Sequence, residues 1–259
     1  MSTHLYCVLP RATRGATPSG LTGVNGGRVR ALALTSVIAW VSDVGPVQRS
    51  DVELVRNQLT YGAVRAHDAV VEAALQTGAT PVPARFGQRF SDDDACVDAL
   101  ERRAKSVESL LGALQGHVEM TLLIAPSTRR MIADLEPVIP EMLEPEIPGA
   151  GRRYLEVLRA REASSGSMTR ATDDLAEQLS QAAGAFVRRE NVHQSVTPMP
   201  LRTISHLFAR EDIVGYRRAV SDVQRGREFQ VLVIGPRAPY SFCALEPGTQ
   251  GNHGINLAD

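Results

Sequence analysis

The chain has 259 residues, which is enough for one large domain or two modest ones. Hydrophobic residues make up 43% and charged residues 22%, a composition typical of a folded globular protein rather than a disordered one. The formal net charge is -1, so no long-range field draws the chain to nucleic acid or to an anionic membrane. We therefore expect no nucleic acid and no membrane among its partners.

The three cysteines, Cys7, Cys96 and Cys243, fall at neither metal-ligand nor redox spacing. Their odd number argues against a disulfide framework and is typical of a reducing compartment. The N-terminal apolar run is too short for a signal peptide, and no apolar stretch approaches the roughly 18 residues that span a bilayer. These features predict a soluble, cytoplasmic protein.

The first half of the chain alternates strand and helix signals. Short apolar or alternating runs predict strands at residues 4–9, 29–34, 36–42, 80–85 and 118–124. Apolar residues spaced three and four apart predict one helix over residues 51–76 and another over 91–114, with Ser91 and Asp94 in capping-box spacing. This order of elements fits a ferredoxin-like α+β sheet with an extra strand.

Five prolines between residues 126 and 151 interrupt any regular structure there. We therefore predict two domains, an N-terminal ferredoxin-like α+β domain at 1–136 and a C-terminal α+β domain at 137–259. The second domain is predicted to contain a long helix at 152–189, weakened at 164–167 by serine and glycine. A strand at 201–209, a helix at 212–225, a strand at 228–234 and a flexible tail from 246 follow.

Signals for catalysis are weak. The Gly-rich segment 20–27 precedes a strand rather than a helix and has no Lys-Ser/Thr pair, so an exposed flexible loop is favoured over a nucleotide site. The histidines form no i, i+4 pair on a predicted helix, and no Gly-x-Ser-x-Gly motif is present. Helix capping explains the acidic run at 92–94. We expect no catalytic residue, no cofactor and no metal.

His67 is the histidine of most interest, because it lies beside Ala63 and Val70 at the edge of the apolar stripe of the first predicted helix. One interpretation is a general base or ligand that faces a cleft. The favoured interpretation is a half-buried histidine that is hydrogen-bonded to a backbone carbonyl or a carboxylate.

The segment around Pro83 combines three further residues of interest. Arg85 could bind a carboxylate through two parallel hydrogen bonds, Phe86 could fill the core, and Gly87 could adopt a positive φ. Glu119 lies off the apolar face of the predicted strand 118–124 and is the candidate partner of Arg85. We predict a buried Arg85–Glu119 pair, so that Arg85→Ala costs several kcal/mol of stability.

Three stretches have the order and spacing of a known family. In the first, His67 on a helix is followed by Pro83, Arg85, Phe86, Gly87 and Phe90, similar to a helical His and a Pro-x-Arg-Phe-Gly-x-x-Phe segment. In the second, 117–120, Val118-Glu119 is similar to a Val-Glu strand. In the third, 235–242, Gly235, Pro236, Tyr240 and Phe242 are similar to a Gly-Pro-Trp-Pro-Pro-Tyr-Ser-Phe signature, although Arg237-Ala238 replaces its Trp-Pro. Together they resemble the gas vesicle GvpF/GvpL family, whose F-type and L-type members they fit alike.

The resemblance implies two α+β domains, the first a modified ferredoxin-like fold. It also implies a non-enzymatic accessory protein, without cofactor, that takes part in vesicle assembly or associates with the vesicle shell. The implied partners are the small hydrophobic gas-vesicle shell protein and other gas-vesicle accessory proteins, and the implied location is the gas vesicle. The runner-up is a small-molecule enzyme or sensor on a ferredoxin-like scaffold, since that scaffold often hosts ligands between sheet and helices.

Overall fold

The computed structural model describes residues 1–13, 18–45, 53–126, 150–194, 201–227 and 229–243. Within these ranges the strands are β1 Ser2–Pro10, β2 Arg30–Ala33, β3 Val37–Val44, β4 Val82–Pro83, β5 Arg89–Phe90, β6 His117–Pro126, β7 Val187–Gln194, β8 Arg202–Ala209 and β9 Phe229–Arg237. The helices are α1 Glu53–Gln76, α2 Asp93–Arg102, α3 Ala104–Leu114, α4 Ala150–Ala183 and α5 Ile213–Gln224. The predicted α+β class is confirmed.

Strands β1 to β5 form the first sheet. Its order is β2-β3-β1-β4, with β5 also paired to β1, and the pairs of β1 with β3, β4 and β5 are antiparallel. Residues 3–9 of β1 are all buried, which agrees with a sequence that is apolar without alternation. Helices α1, α2 and α3 all contact β1, so the first predicted strand lies at the centre of the first core.

Helix α1 buries one face, and His67 is part of that face rather than at its edge. His67, Val70, Val71 and Ala74 are all buried and follow the three-and-four spacing of one helix face. The sequence predicts His67 at the edge of the apolar stripe, whereas the structure places it within the buried face, because its imidazole is buried like an apolar side chain.

The second predicted helix is two helices. Arg103, with φ -110° and ψ 16°, separates α2 from α3. The predicted capping box of Ser91 and Asp94 is wrong, because Asp92 is the N-cap and its carboxylate accepts a hydrogen bond from Ala95 N at 2.8 Å. Asp93 instead binds Arg30 and Thr3, at 2.6 and 2.7 Å.

The second sheet has the order β7-β8-β6-β9. Strand β7, which pairs with β8 in antiparallel register, was not predicted, because residues 187–189 were assigned to the long helix. That helix, α4, ends at Ala183, and it continues through the predicted weak point at residues 164–167. No helix in the described ranges has the length and apolar character needed to cross a membrane.

Two compact units divide the described chain. Unit 1 combines Met1–Glu119 with the C-terminal residues from Pro236, and unit 2 is Met120–Gly235. The predicted division at 136/137 differs from this, because most of β6 belongs to unit 2 and the chain returns to unit 1 after β9. Residues 127–149 of the predicted proline-rich break and the predicted tail at 246–259 lie outside the described residues.

Candidate functional site

A cluster of buried aromatic and polar side chains in unit 1 brings together most of the predicted motif residues. It begins on β1, where His4 and Tyr6 lie two residues apart and are both fully buried. The register of β1 against β3 shifts between Leu5 and Cys7, so Tyr6 occupies a β-bulge. Its phenol oxygen accepts a hydrogen bond from Val24 N at 2.7 Å and shares another with Ser42 Oγ at 2.7 Å.

These bonds give the Gly-rich segment 20–27 a structural role. A Cβ on Gly23 would lie 1.9 Å from the Tyr6 hydroxyl, so only glycine allows this close approach. Val24 is buried, with 1% of its surface exposed. The favoured prediction of an exposed loop agrees with the exposure of Gly20, Thr22, Asn25 and Gly26, but it is wrong for Gly23 and Val24, which are buried.

His67 links helix α1 to two other segments. Its Nδ1 lies 3.0 Å from His4 Nε2, and its Nε2 lies 3.2 Å from the carbonyl oxygen of Ala84. A carbonyl only accepts, so His67 Nε2 carries a proton and neutral His67 accepts at Nδ1 from His4 Nε2–H. The remaining nitrogen, His4 Nδ1, is buried with no hydrogen-bond partner among the described residues.

This arrangement keeps both histidines neutral. Burial, followed by the neighbouring His67, lowers the pKa of His4 from 6.5 to about 3. Burial also lowers the pKa of His67 to about 4, despite the opposing effect of Asp68. Of the two partners predicted for His67, a backbone carbonyl or a carboxylate, the structure shows the carbonyl, and His67 is fully rather than half buried.

The segment 81–90 wraps around these histidines. Pro83 pairs with Cys7, and Ala84 N donates to Tyr6 O at 2.8 Å. The Phe86 ring meets His67 edge to face, with centroids 5.7 Å apart, and Gly87 has φ +88° as predicted. Arg85 is exposed.

The C-terminal segment 235–242 is fixed by Glu119, whose side chain is fully buried near the start of β6. One carboxylate oxygen accepts from Arg237 at 2.9 Å and from Ser241 Oγ at 2.9 Å. The other accepts from Ser241 N at 2.8 Å. Three donors thus satisfy this buried carboxylate, which is the condition under which burial of a charge is tolerated.

Tyr240 joins the C-terminal segment to α1. Its hydroxyl donates to Asp68 Oδ1 at 3.0 Å, and its ring centroid lies 6.5 Å from that of His67. Burial, and then the nearby Asp68 carboxylate, raise the pKa of Tyr240 above its ordinary value. Phe242 is buried in the same unit.

Comparison of the chain with known proteins identifies its family. The model of the family described as "Gas vesicle synthesis protein GvpL/GvpF" matches residues 2–244. The chain belongs to the GvpL/GvpF family.

Individual relatives agree with the family match. Gas vesicle protein F of Streptomyces sp. (strain CB03234) is 28% identical over 93% of this chain and 99% of its own length. Gas vesicle protein L1 of Halobacterium salinarum (strain ATCC 700922 / JCM 11081 / NRC-1) is 24% identical over 92% of this chain and 89% of its own length.

Two crystal structures share the fold. The gas vesicle protein GvpF from Anabaena sp. PCC7120 superposes with a TM-score of 0.68 and 15% identity, over 98% of this chain and 99% of that one. GvpF from Microcystis aeruginosa gives 0.65 and 16%, over 93% and 98%. Membership of the GvpL/GvpF family supports an accessory role in gas vesicles, and the names of these relatives describe vesicle proteins rather than enzymes.

One pairing predicted for this GvpL/GvpF protein is wrong. Arg85 does not bind Glu119, because Arg237 occupies that carboxylate. The predicted strand at 80–85 is shorter in the structure, where β4 ends at Pro83, so the alternation of side chains along a strand does not extend to Arg85. Arg237 is one of the two positions that depart from the family's Trp-Pro.

A second polar network, in unit 2, was missed by the sequence reasoning. His206 Nδ1 lies 2.8 Å from Tyr216 Oη, and its Nε2 lies 2.8 Å from Glu190 Oε2. Burial lowers the pKa of His206, although Glu190 opposes the shift. The available signal was the alternation in β8, which places His206 on one face with the buried Ile204 and Phe208.

The two networks join chain segments through buried hydrogen bonds. No cluster of three metal-ligating side chains occurs in the described ranges. Cys7, Cys96 and Cys243 are free thiols in buried positions, and burial raises the pKa of Cys96 to about 12.

Proposed function

We propose that this GvpL/GvpF protein takes part in gas vesicle assembly, or associates with the vesicle shell, through protein–protein contacts and without catalysis. The observation that carries the proposal is the family match over residues 2–244, which covers all of the motif-bearing segments. The proposed partners are the small hydrophobic shell protein and other accessory proteins. The proposed location is the cytoplasm, at the gas vesicle.

An exposed apolar edge in unit 2 supports contact with an apolar partner. Strand β9 ends the described strand order of the second sheet, and Leu232 and Ile234 lie two residues apart on it, 57% and 38% exposed. An edge strand offers backbone donors and acceptors to a partner, and exposed apolar side chains on it favour association. We propose that the shell protein docks along β9.

Gene deletion tests the assembly role. We expect a clean deletion, in cells that have no second member of the family, to abolish or malform gas vesicles, and a plasmid copy of the gene to restore them. Normal vesicle yield after the deletion would refute the proposal.

Co-purification with the shell protein tests the kind of contact. Because the contact is proposed to be apolar, binding should persist when salt rises from about 0.1 M to about 1 M, where the screening length falls from about 10 Å to about 3 Å. Leu232→Ser should weaken binding, while Glu72→Gln, an exposed change on α1, should not. Binding that is lost at moderate salt would contradict the apolar contact.

A further inference from the structure

A cavity in unit 1 lies outside the motif-bearing cluster. Its volume is about 290 Å³, and it is lined by the turn at residues 34–37 and by residues of α2 and α3. The walls include well-packed apolar residues, each at most 5% exposed: Leu34, Val37, Leu100 and Val107. We call this the α2–α3 cavity.

Two carboxylates also line the α2–α3 cavity. Glu101, in the last turn of α2, and Glu108, in α3, both belong to its wall and are both exposed. Ser36 Oγ, also in the wall, donates a hydrogen bond to Glu108 Oε1 and thereby orients that carboxylate. In the described ranges neither glutamate forms an ion pair with a cation of this chain.

The wall opposite the helices is held in place before any ligand arrives. Arg11 donates to the carbonyl oxygens of Leu34 and Thr35 at 2.6 and 3.3 Å, and Leu34 N donates to Val37 O at 2.9 Å. The guanidinium of Arg11 therefore bonds to the turn, and Arg11 is not part of the cavity wall. A preformed cavity binds with less loss of conformational freedom than one that must be organised.

We propose that the α2–α3 cavity binds one basic side chain, arginine or lysine, of a partner polypeptide. The apolar walls suit the methylene stem of such a side chain, and the two carboxylates suit its charged end. The volume lies at the lower limit of the roughly 300–1,000 Å³ of small-molecule sites, which fits a single side chain better than a cofactor. The inference goes beyond the proposed function, because it names the chemical group that unit 1 recognises and does not depend on which protein carries it.

A peptide titration of the full chain tests this assignment. The probe is acetyl-Gly-Ser-Arg-Ser-Gly-amide, followed by amide chemical shifts, and its matched control carries citrulline, a neutral isostere of arginine. We expect saturable shifts confined to residues 34–37 and 100–108, with a dissociation constant on the order of 1 mM. The citrulline peptide should give no saturable shift. Equal binding of the two peptides, or shifts elsewhere in the chain, would overturn the proposal.

Variants separate the carboxylates from the cavity itself. Glu101→Gln and Glu108→Gln should each weaken binding of the arginine peptide by about fivefold, while the exposed control Glu72→Gln should leave its affinity unchanged. Ala104→Met keeps both carboxylates but fills the cavity, and it should weaken binding by about tenfold or more. Spectra outside the cavity report whether each variant is folded. Unchanged affinity in Ala104→Met would show that the peptide does not bind in the cavity. Unchanged affinity in both glutamine variants would show that the two carboxylates do not recognise its charge.

A free polyamine presents the same cationic chemistry as a basic side chain, so the last experiment titrates the protein with spermidine. We expect it to bind more weakly than the peptide, because its charges are distributed along the stem that the apolar walls contact. Spermidine that binds the same residues more tightly than the peptide would overturn the assignment to a polypeptide partner.

Discussion

Two motif-bearing segments, residues 81–90 and 235–242, are both fixed to unit 1 by buried polar groups, but the groups differ in charge. Segment 81–90 is held through the Ala84 carbonyl by His67, which is neutral and is itself bonded to His4. Segment 235–242 is held by the Glu119 carboxylate, which binds Arg237 and Ser241. The first attachment depends on a buried, neutral histidine pair that acid would charge, and the second depends on a buried carboxylate.

The difference shows that similar motifs need not use their arginines in the same way. Arg85 is exposed, whereas Arg237 is two-thirds buried on a carboxylate, with 33% of its side chain exposed. A buried ion pair is strongly sensitive to the loss of one partner, and an exposed arginine is not. The four predictions below test this contrast, beginning with the largest expected effect.

Removing the carboxylate at the C-terminal segment should cost more than any other single change. Glu119→Ala leaves Arg237 and the Ser241 N–H without their acceptor, and breaking such a pair costs about 3–5 kcal/mol. We expect the lower end of this range, because part of Arg237 can be rehydrated. Denaturant unfolding measures the loss, with the exposed Glu72→Ala as the control. A wild-type midpoint in Glu119→Ala would show that the segment does not depend on Glu119.

Acid should destabilise the core around the other segment, because it charges the buried histidine pair. Because the pKa values of His4 and His67 are lowered to about 3 and about 4 in the folded state, the unfolded chain binds more protons below pH 6.5. The stability due to neutral histidines is therefore complete above pH 6.5 and is lost as the pH falls towards those values. At pH 5 the loss is about 2 kcal/mol for each histidine.

Unfolding at pH 7 and pH 5 checks this, since other groups also titrate and only a difference between variants is informative. The double variant His4→Gln/His67→Gln should lose less stability than the wild type between the two pH values, and His67→Gln alone should show an intermediate loss. An identical pH dependence in wild type and both variants would contradict the neutral pair.

Tyr240→Phe should have a smaller effect, because it removes one hydrogen bond and keeps the ring. The bond from the Tyr240 hydroxyl to Asp68 links the C-terminal segment to α1, and such a bond contributes about 0.5–1.5 kcal/mol. Asp68→Asn combined with Tyr240→Phe completes a double-mutant cycle. A coupling energy of zero would show that the contact contributes nothing.

Much of the fold follows from periodicity in the sequence, and the exceptions have identifiable causes. Strand β1 and helix α1 were predicted because their apolar patterns match the strand and helix periods. Strand β7 was missed, since Val187–Gln194 is rich in charge and is defined by its pairing with β8, a contact between residues distant in sequence. The partners of side chains are harder to predict from the sequence. Glu119 and Arg237, for example, are 118 residues apart, and no local pattern relates them.

The sequence predicts which residues belong to the site, but not which hydrogen bonds join them. His67, Phe86 and Tyr240 were all identified, and the structure brings them to one cluster. The bond between His67 and His4 was not foreseen, because it joins a strand to a helix across 63 residues. Alternation identifies which side of a strand a residue faces, whereas the partner there is set by packing.

Arg85→Ala should change stability least, by no more than about 0.5 kcal/mol, because its side chain is exposed and an exposed substitution away from caps and cores rarely costs more. Arg85 is nevertheless placed on a rigid support, since Ala84 is bonded through both its N–H and its carbonyl, and an exposed charge on such a support suits a contact with another protein. We therefore expect Arg85→Ala to keep the wild-type unfolding midpoint and to lower the vesicle yield. Arg102→Ala, an exposed change on α2, should affect neither. If Arg85→Ala lowers the free energy of unfolding by several kcal/mol, Arg85 has a structural role after all. If the vesicle yield stays normal, Arg85 does not contact a vesicle protein.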